Sequence, residues 1–301
     1  MSKYSLLLIM AISVDVSLLA ENKSAPPNII VIFCDDLGYA DLSCYGSLWN
    51  QTPDIDRMAS EGLRFTDFYA GAPVCTPSRA GLMTGCYARR VDMDLDAENR
   101  WVLFAGAKKG INPEEILLPE ALKAAGYSTA IIGKWHLGDQ PEFLPVRHGF
   151  DYWLGLPYSN DMGIQVEGKR LLPLMRNETV VDRLDQRKES DQGSLTKRYT
   201  EEAIQWIEKN RTKPFFLYLA HTMPHNPVAA REQFHQLTVN PKQGFGASVA
   251  EISWSTGEIL DYLREKDLDK NTLVIFTSDN GGAPHWGASN GILKGRKGQT
   301  F

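Results

Sequence analysis

The chain has 301 residues, of which 43% are hydrophobic and 23% are charged, and its formal net charge is −5. This length is enough for one large α/β domain or two small ones, and the composition is ordinary for a globular protein. The negative net charge argues against a nucleic-acid-binding protein, because phosphate contacts require a broad basic surface. An anionic substrate would therefore need a local cluster of basic side chains.

Residues 1–25 are predicted to be a secretory signal peptide. Lys3 precedes an apolar run over residues 4–14, which is too short to span a bilayer, so a membrane anchor is the less favoured alternative. The rest of the sequence contains no long apolar stretch, and no stable membrane span is expected. We expect an exported protein that is periplasmic, extracellular or lysosomal depending on the host, with residues 26–301 as its folded domain.

The first folded segment is predicted to contain two strands and a helix. Residues 28–34 form a continuous apolar, β-branched run, which is typical of a strand buried on both faces. The run ends at Asp35 and Asp36, whose like charges need a cation or hydrogen bonds nearby. A short helix is predicted over residues 53–61, and the alternation of residues 63–69 predicts a second strand.

Cys75 lies at the start of the next predicted helix. Pro77 suits the first helical turn, where its missing N–H group would have no partner anyway. The positive end of the helix dipole would favour an anion at Cys75 and activate a thiol there. The simpler alternative is a buried structural cysteine. Using Cys75 for chemistry leaves three cysteines, and no Cys-x-x-Cys pair indicates zinc.

The middle of the chain begins with a polar stretch over residues 91–112, and irregular loops of this length are often functional. A helix is predicted over residues 118–125 and a buried strand over residues 127–133. This strand leads to Lys134 and His136, which would project to the same side of an extended chain because they are two residues apart.

The last part of the chain continues the alternation of helices and strands. The strands lead to His225 and to the pair Asp279 and Asn280. The predicted segments, in order, are an exposed charged stretch (177–193), a helix (194–209), a strand (214–220), a helix (245–266) and a strand (272–277).

This alternation predicts a doubly wound, mainly parallel sheet with helices on both faces. Ligands bind to such sheets beyond the carboxyl ends of the strands. Four predicted strands end in ionisable or metal-suited residues, so we expect a site at this edge. Its oxygen ligands suit a hard cation such as Ca²⁺ or Mg²⁺, and its histidines suit proton transfer near neutral pH.

Cys-Thr-Pro-Ser-Arg at residues 75–79, followed by Ala-Gly-Leu-Met-Thr-Gly, resembles the activation motif of the type I sulfatases. The other sequence motifs of that family follow in the same order along this chain. Their sequences are most similar to those of arylsulfatases and N-acetylgalactosamine-6-sulfatase-like members. The resemblance implies an alkaline-phosphatase-like α/β fold and these residues: Asp35, Asp36, Cys75, Asp279 and Asn280 at the metal, Arg79 supporting the nucleophile, and Lys134, His136, Ser159, His225 and Lys297 around the sulfate, with Lys294 as the alternative to Lys297.

The resemblance also implies the chemistry. A maturing, formylglycine-generating enzyme would oxidise Cys75 to formylglycine, whose hydrate attacks the sulfur of a sulfated small molecule or glycan beside a divalent cation. His225 or a lysine would assist the leaving alcohol. His136 would accept a proton as the aldehyde reforms and sulfate leaves.

Two alternatives to a sulfuric ester hydrolase remain at this point. A phosphoester or phosphonate hydrolase could use the same metal-binding edge. The family pattern also continues beyond the block that ends near Phe301 into a smaller C-terminal domain with an antiparallel sheet. We therefore expect a C-terminally truncated sulfatase domain here, and an inactive sulfatase-like binding protein is the second alternative.

Overall fold

The computed structural model describes residues 25–300, so residues 1–24 of the predicted signal peptide lie outside the described residues. None of the helices in this range is both long enough and apolar enough to cross a membrane. The strands are β1 (Asn28–Cys34), β2 (Ser128–Gly133), β3 (Tyr152–Gly155), β4 (Ile164–Val166), β5 (Lys169–Arg176), β6 (Thr179–Asp185), β7 (Phe215–Ala220) and β8 (Thr272–Ser278). The helices are α1 (Pro53–Glu61), α2 (Cys75–Thr84), α3 (Leu118–Ala124), α4 (Glu189–Gly193), α5 (Leu195–Asn210), α6 (Glu232–His235) and α7 (Gln243–Glu265).

The strands form one mixed, mainly parallel sheet in the order β4-β5-β3-β2-β7-β1-β8, with β6 paired to β5. Strands β3, β2, β7, β1 and β8 run parallel to one another. Strand β5 runs antiparallel to β3, β4 and β6. The predicted doubly wound parallel sheet is therefore confirmed, and an antiparallel extension follows β3.

Alternate side chains of β1 show how the two faces of the sheet are covered. Ile30 and Ile32 point into a core that includes residues of α5 and α7. Val31 and Phe33 point into a second core, which contains Ala80 of α2 and residues around α3. Because both faces are covered, β1 carries apolar residues at successive positions instead of alternating with polar ones.

Two of the sequence predictions differ from the structure. The strand predicted over residues 63–69 is wrong, because these residues are irregular and no strand lies beside them in the described chain. Leu63, Phe65 and Tyr69 are 88%, 59% and 79% exposed. The stretch 177–193 is largely exposed as expected, but it contains strand β6 and helix α4. The polar loop over residues 91–112 is confirmed as mainly irregular.

Candidate active site

Four predicted strand ends lie together at the carboxyl edge of the sheet. Strands β2, β7, β1 and β8 are consecutive in the sheet and parallel. The polar residues that follow them therefore converge on one side of the fold, as the sequence predicted. One atom from each of Asp35, Asp36, Cys75 and His225 lies within 4.8 Å of the others, and all four residues are buried.

Cys75 is the first residue of α2, so it sits at the positive end of the helix dipole. Its Sγ atom lies 3.4 Å from Asp35 Oδ1 and 3.7 Å from Lys297 Nζ. Burial, reinforced by the charge of Asp35, raises the pKa of the Cys75 thiol well above its usual range. The expected activation of the thiol is not reflected in this pKa, and an unmodified, protonated Cys75 would be a poor nucleophile near neutral pH.

Oxygen atoms from β1 and β8 cluster beside Cys75. Asp279 Oδ1 accepts a hydrogen bond of 3.1 Å from the backbone N–H of Asp36. Asn280 Nδ2 donates to Asp36 Oδ1 at 2.7 Å. Burial, together with the charge of Asp35, raises the pKa of Asp279 to about 7. Buried carboxylates of like charge therefore lie close together here, and they repel one another.

These residues fit a hard divalent cation. The side-chain oxygen of Asn280 is buried and has no hydrogen-bond partner among the described residues, and such an oxygen is a suitable ligand for Ca²⁺ or Mg²⁺. A cation held by Asp35, Asp36, Asp279 and Asn280 would satisfy this oxygen and offset the repulsion between the carboxylates. The predicted metal-binding set is therefore compatible with the geometry.

Basic side chains surround the carboxylates on the sheet side. Arg79 is fully buried, and its Nη2 atom lies 3.0 Å from Asp279 Oδ2 and 3.5 Å from Asp35 Oδ2. Lys134 forms an ion pair with Asp35 and donates to Ser159 Oγ at 3.2 Å. Burial alone would raise the pKa of Asp35, but Lys134, with His225 and Arg79, holds it well below its usual range. Asp35 is therefore ionised.

His136 has two chemically distinct ring nitrogens. Its Nε2 atom lies 2.8 Å from the backbone oxygen of Leu103, and because a carbonyl oxygen only accepts, this nitrogen carries the hydrogen. Its Nδ1 atom is buried without a hydrogen-bond partner among the described residues. Burial and the charge of Lys134 hold the pKa of His136 well below its usual range. The neutral ring therefore offers Nδ1 as a proton acceptor.

His225 is oriented by the segment that precedes β4. Its Nδ1 atom lies 3.0 Å from Asn160 Oδ1, 2.6 Å from the oxygen of Asn226 and 3.3 Å from Ser159 Oγ. Because the first two are acceptors, Nδ1 carries the hydrogen, and the unprotonated Nε2 atom lies 3.7 Å from Asp36 Oδ2. Burial lowers the pKa of His225.

Lys297 and its alternative, Lys294, differ in where the structure places them. Lys297 Nζ lies 2.8 Å from Asp36 Oδ2, whereas Lys294 is exposed. All of the site residues predicted from the sequence, apart from the alternative Lys294, therefore lie at this edge or contact a residue there. Sequence reasoning missed Asn160 and Thr76, although both lie inside segments that it singled out. Thr76 Oγ1 accepts from the N–H of Leu103 and donates to the backbone oxygen of His136.

The family model for sulfatases matches residues 27–300 of this chain. The chain belongs to the sulfatase family. It is 39% identical to N-acetylgalactosamine-6-sulfatase of Mus musculus over 94% of its own length, and 36% identical to arylsulfatase A of Homo sapiens over 92%. These alignments cover 56% and 57% of the two relatives. The chain thus spans a little over half the length of the curated relatives that it matches.

Among solved structures, the chain is similar to Ps i-CgsB, with a TM-score of 0.79 and 32% identity. The similarity covers 91% of this chain and 62% of Ps i-CgsB. The region matched by the family model, residues 27–300, contains the mainly parallel sheet and all of the strand ends described above. The fold and the family are therefore established together.

Proposed function

We propose that this chain hydrolyses a sulfate ester of an aromatic compound or a carbohydrate, with position 75 as the nucleophile. The observation that carries the proposal is the buried contact of Cys75 with both Asp35 and Lys297, at 3.4 and 3.7 Å, at the start of α2. A thiol held protonated there would react poorly as it stands, so the proposal requires a modified side chain at position 75. Membership of the sulfatase family and the name of the mouse relative support a sulfate ester.

When present, the divalent cation and a formylglycine at position 75 would supply a polarised oxygen and a hydrated aldehyde that can release sulfate without direct attack by water. The chain's own residues would do the rest. Lys134 and Lys297 present ammonium groups for the sulfate oxygens, where transition-state charge is stabilised by fixed cations. Arg79, held between Asp35 and Asp279, adds positive charge beneath position 75.

The two histidines would divide the proton transfers. His225 Nε2 faces the acidic cluster, with its other nitrogen held by Asn160, which suits donation of a proton to the leaving alcohol once the ring is charged. His136 Nδ1 suits acceptance of a proton from the modified side chain. The two histidines have separate hydrogen-bond partners, which is consistent with opposite roles. Each role requires the transferred proton to lie within hydrogen-bonding reach of the ring nitrogen.

The deciding experiment expresses the chain together with a formylglycine-generating enzyme and follows the peptide that contains position 75 by mass spectrometry. We expect conversion of Cys75 to the aldehyde, and faster turnover of 4-nitrophenyl sulfate than of 4-nitrophenyl phosphate. Cys75→Ala should abolish turnover, and Cys86→Ala, at the other end of α2, should retain it. A uniformly unmodified cysteine, or faster phosphate turnover, would reject the proposal. Conversion without turnover of any sulfate would instead favour a binding protein.

A further inference from the structure

Three of the seven tryptophans are largely exposed, and each lies on a loop outside the sheet. Trp49, Trp101 and Trp286 are 43%, 53% and 42% exposed, whereas Trp135 and Trp153 are completely buried. An exposed tryptophan leaves a large apolar ring in contact with water, and aromatic side chains in such positions are frequent binding residues. Of the three, Trp101 is the one whose neighbours lead into the candidate active site.

Trp101 packs against the loop that carries Lys297. A Cβ atom added to Gly298 would lie 3.4 Å from Cζ3 of the Trp101 ring, so the ring packs beside the residue that follows Lys297. Lys297 in turn lies 2.8 Å from Asp36 and 3.7 Å from Cys75 Sγ. The indole therefore borders the loop whose lysine reaches the reacting position.

The loop that carries Trp101 is held in place rather than free. Two residues further on, Leu103 accepts a hydrogen bond from His136 at 2.8 Å and donates one to Thr76 at 3.1 Å. On the other side of Trp101, Asp96 accepts from the backbone and side chain of Arg100 at 2.8 and 2.6 Å. A ring fixed at both flanks loses little conformational freedom when a ligand packs against it.

The charges of this loop indicate the chemistry of the ligand. Arg100 is paired with Asp96 at 2.6 Å and with Glu98 at 2.7 Å, and its guanidinium carbon lies 4.1 Å from the centre of the Phe104 ring. Its charge is therefore already neutralised, so Arg100 is not available to bind a second anionic group. The loop therefore presents the exposed ring of Trp101, with polar residues beside it.

We infer that Trp101 is a specificity-determining residue that stacks against the sugar ring bearing the sulfate group, and that the substrate is accordingly a carbohydrate sulfate. A pyranose ring has an apolar C–H face and a hydroxylated rim, which matches a flat aromatic surface bordered by polar groups. A purely apolar aryl group would be bound better in an enclosed hydrophobic pocket. The inference rests on the proposed sulfatase function and narrows it from aryl or carbohydrate sulfates to the latter.

The test measures binding on a Cys75→Ala background, so that no turnover occurs, with an oligosaccharide carrying N-acetylgalactosamine 6-sulfate and with inorganic sulfate as the two probes. Trp101→Ala is expected to raise the Kd for the oligosaccharide about 3- to 10-fold, the range given by loss of one aromatic contact. Trp101→Phe should recover most of the affinity. Trp49→Ala is the matched control, because Trp49 is similarly exposed and its backbone contacts are with Ser47 and Val239.

Inorganic sulfate separates stacking from a structural effect. Its Kd should be the same with Trp101 and with alanine at that position, because the free anion has no ring to stack. Equal weakening of both probes would show that the substitution merely displaces the Lys297 loop, and this would overturn the inference, as would an unchanged oligosaccharide Kd. Failure of the proposed function gives a different result, in which the protein with Trp101 intact binds neither probe and the matured chain hydrolyses no sulfate ester.

Discussion

At position 136 the protein keeps an imidazole neutral and gives its two nitrogens different surroundings. The backbone oxygen of Leu103 fixes the hydrogen on Nε2, which leaves Nδ1 as a buried base without a partner among the described residues. This assignment does not depend on the ring's exact pKa, because a carbonyl oxygen can only accept a hydrogen bond. The tautomer is thus set by a loop residue that carries no chemistry of its own.

His136→Gln provides a test of this role, because the glutamine amide can still donate to the oxygen of Leu103 but has no basic nitrogen. We expect kcat of the matured protein for a sulfate ester to fall by about 10²- to 10⁴-fold, the usual contribution of a positioned acid or base. Thermal stability and Ca²⁺ binding, measured on the same samples, should change little. Activity within a factor of about three of the starting protein would contradict the assignment.

A second histidine, His221, is buried away from the proposed chemistry and should control acid stability. Burial lowers its pKa to about 4, and its Nε2 atom lies 3.3 Å from Ser255 Oγ. The unfolded chain takes up a proton near pH 6.5, whereas the folded chain does so only near pH 4. Stability supplied by the neutral ring is therefore complete above pH 6.5 and is lost as the pH falls towards 4, by up to about 3 kcal/mol.

The measurement is urea unfolding of the starting protein and of His221→Gln at several pH values between 4 and 7. The difference in the free energy of unfolding between the two proteins should narrow as the pH falls, because only the histidine has a proton to gain. If the free energies of unfolding of the two proteins change in parallel between pH 4 and 7, His221 is not the group that causes the loss of stability in acid.

The clustering of the candidate site residues was predictable from the sequence where a strand end or a distinctive motif marked them. Asp35 and Lys134 follow buried strands, and Asp279 follows the partly buried β8. The parallel pairing of these strands places all three residues at one edge of the sheet. The contacts of Leu103 and Asn160 were not predictable, since they depend on how an irregular loop folds back over a distance of 33 or 65 residues. Loops lack the periodicity that allows a strand or helix to be recognised.

At the end of β2, the backbone conformation and the neighbouring strand allow only glycine at position 133. Gly133 has φ of +120°, and a Cβ atom there would lie 1.8 Å from the backbone oxygen of Ala220 on β7. This close approach sets the position of Lys134, the next residue along the chain. Glycine is needed here for two separate reasons, a positive φ and the absence of a side chain.

Gly133→Ala is expected to lower the free energy of unfolding by more than about 3 kcal/mol, because neighbouring strands must separate to make room. Gly168→Ala is the matched control, since Gly168 has φ of +82° with nothing within 4 Å of an added Cβ atom. The control isolates the conformational penalty, which should be about 1–2 kcal/mol. Similar losses for the two variants in denaturant unfolding would argue against the steric effect.

Strands β1, β2 and β7 were recognisable because burial on both faces gives continuous apolar runs. Strand β8 was recognisable from a similar run although it is only partly buried, whereas β3 to β6 were not predicted. The burial of β6 is almost entirely partial or absent, so its sequence is charged and has no clear apolar period. The opposite error occurred at residues 63–69, whose alternation is real but whose apolar side chains have no partner strand in the described structure. Periodicity reports what a segment could bury, and pairing decides whether it does.

For the molecule as a whole, the edge of the sheet at β8 exposes apolar side chains to solvent. In the described part of the chain, β8 pairs only with β1, and Leu273 and Ile275 on it are 52% and 38% exposed. An unpaired edge that carries apolar side chains can pair with another copy of the same strand.

Replacing Leu273 and Ile275 together by threonine, which retains β propensity, should reduce self-association of this 301-residue chain. Analytical ultracentrifugation over a range of protein concentrations would measure the change. Leu48→Thr with Ile116→Thr is the control, because these residues are 88% and 75% exposed but lie outside the sheet. An equal effect of both pairs would attribute association to general surface hydrophobicity rather than to the strand edge.

The pairing of β1 with β7 also limits the time during which Cys75 is accessible to a maturing enzyme. Strand β1 leaves the ribosome before β7 does, and the contact between Asn28 on β1 and Phe215 at the start of β7 spans 187 residues, which take roughly 10–40 s to synthesise. During that interval the sheet above Cys75 cannot close, and afterwards the side chain is only 2% exposed. A maturing enzyme added to the folded protein should therefore leave the thiol unchanged, as mass spectrometry would show, whereas the same enzyme present during synthesis should convert it. Translation and modification therefore compete, because Cys75 must be converted before β7 pairs with β1.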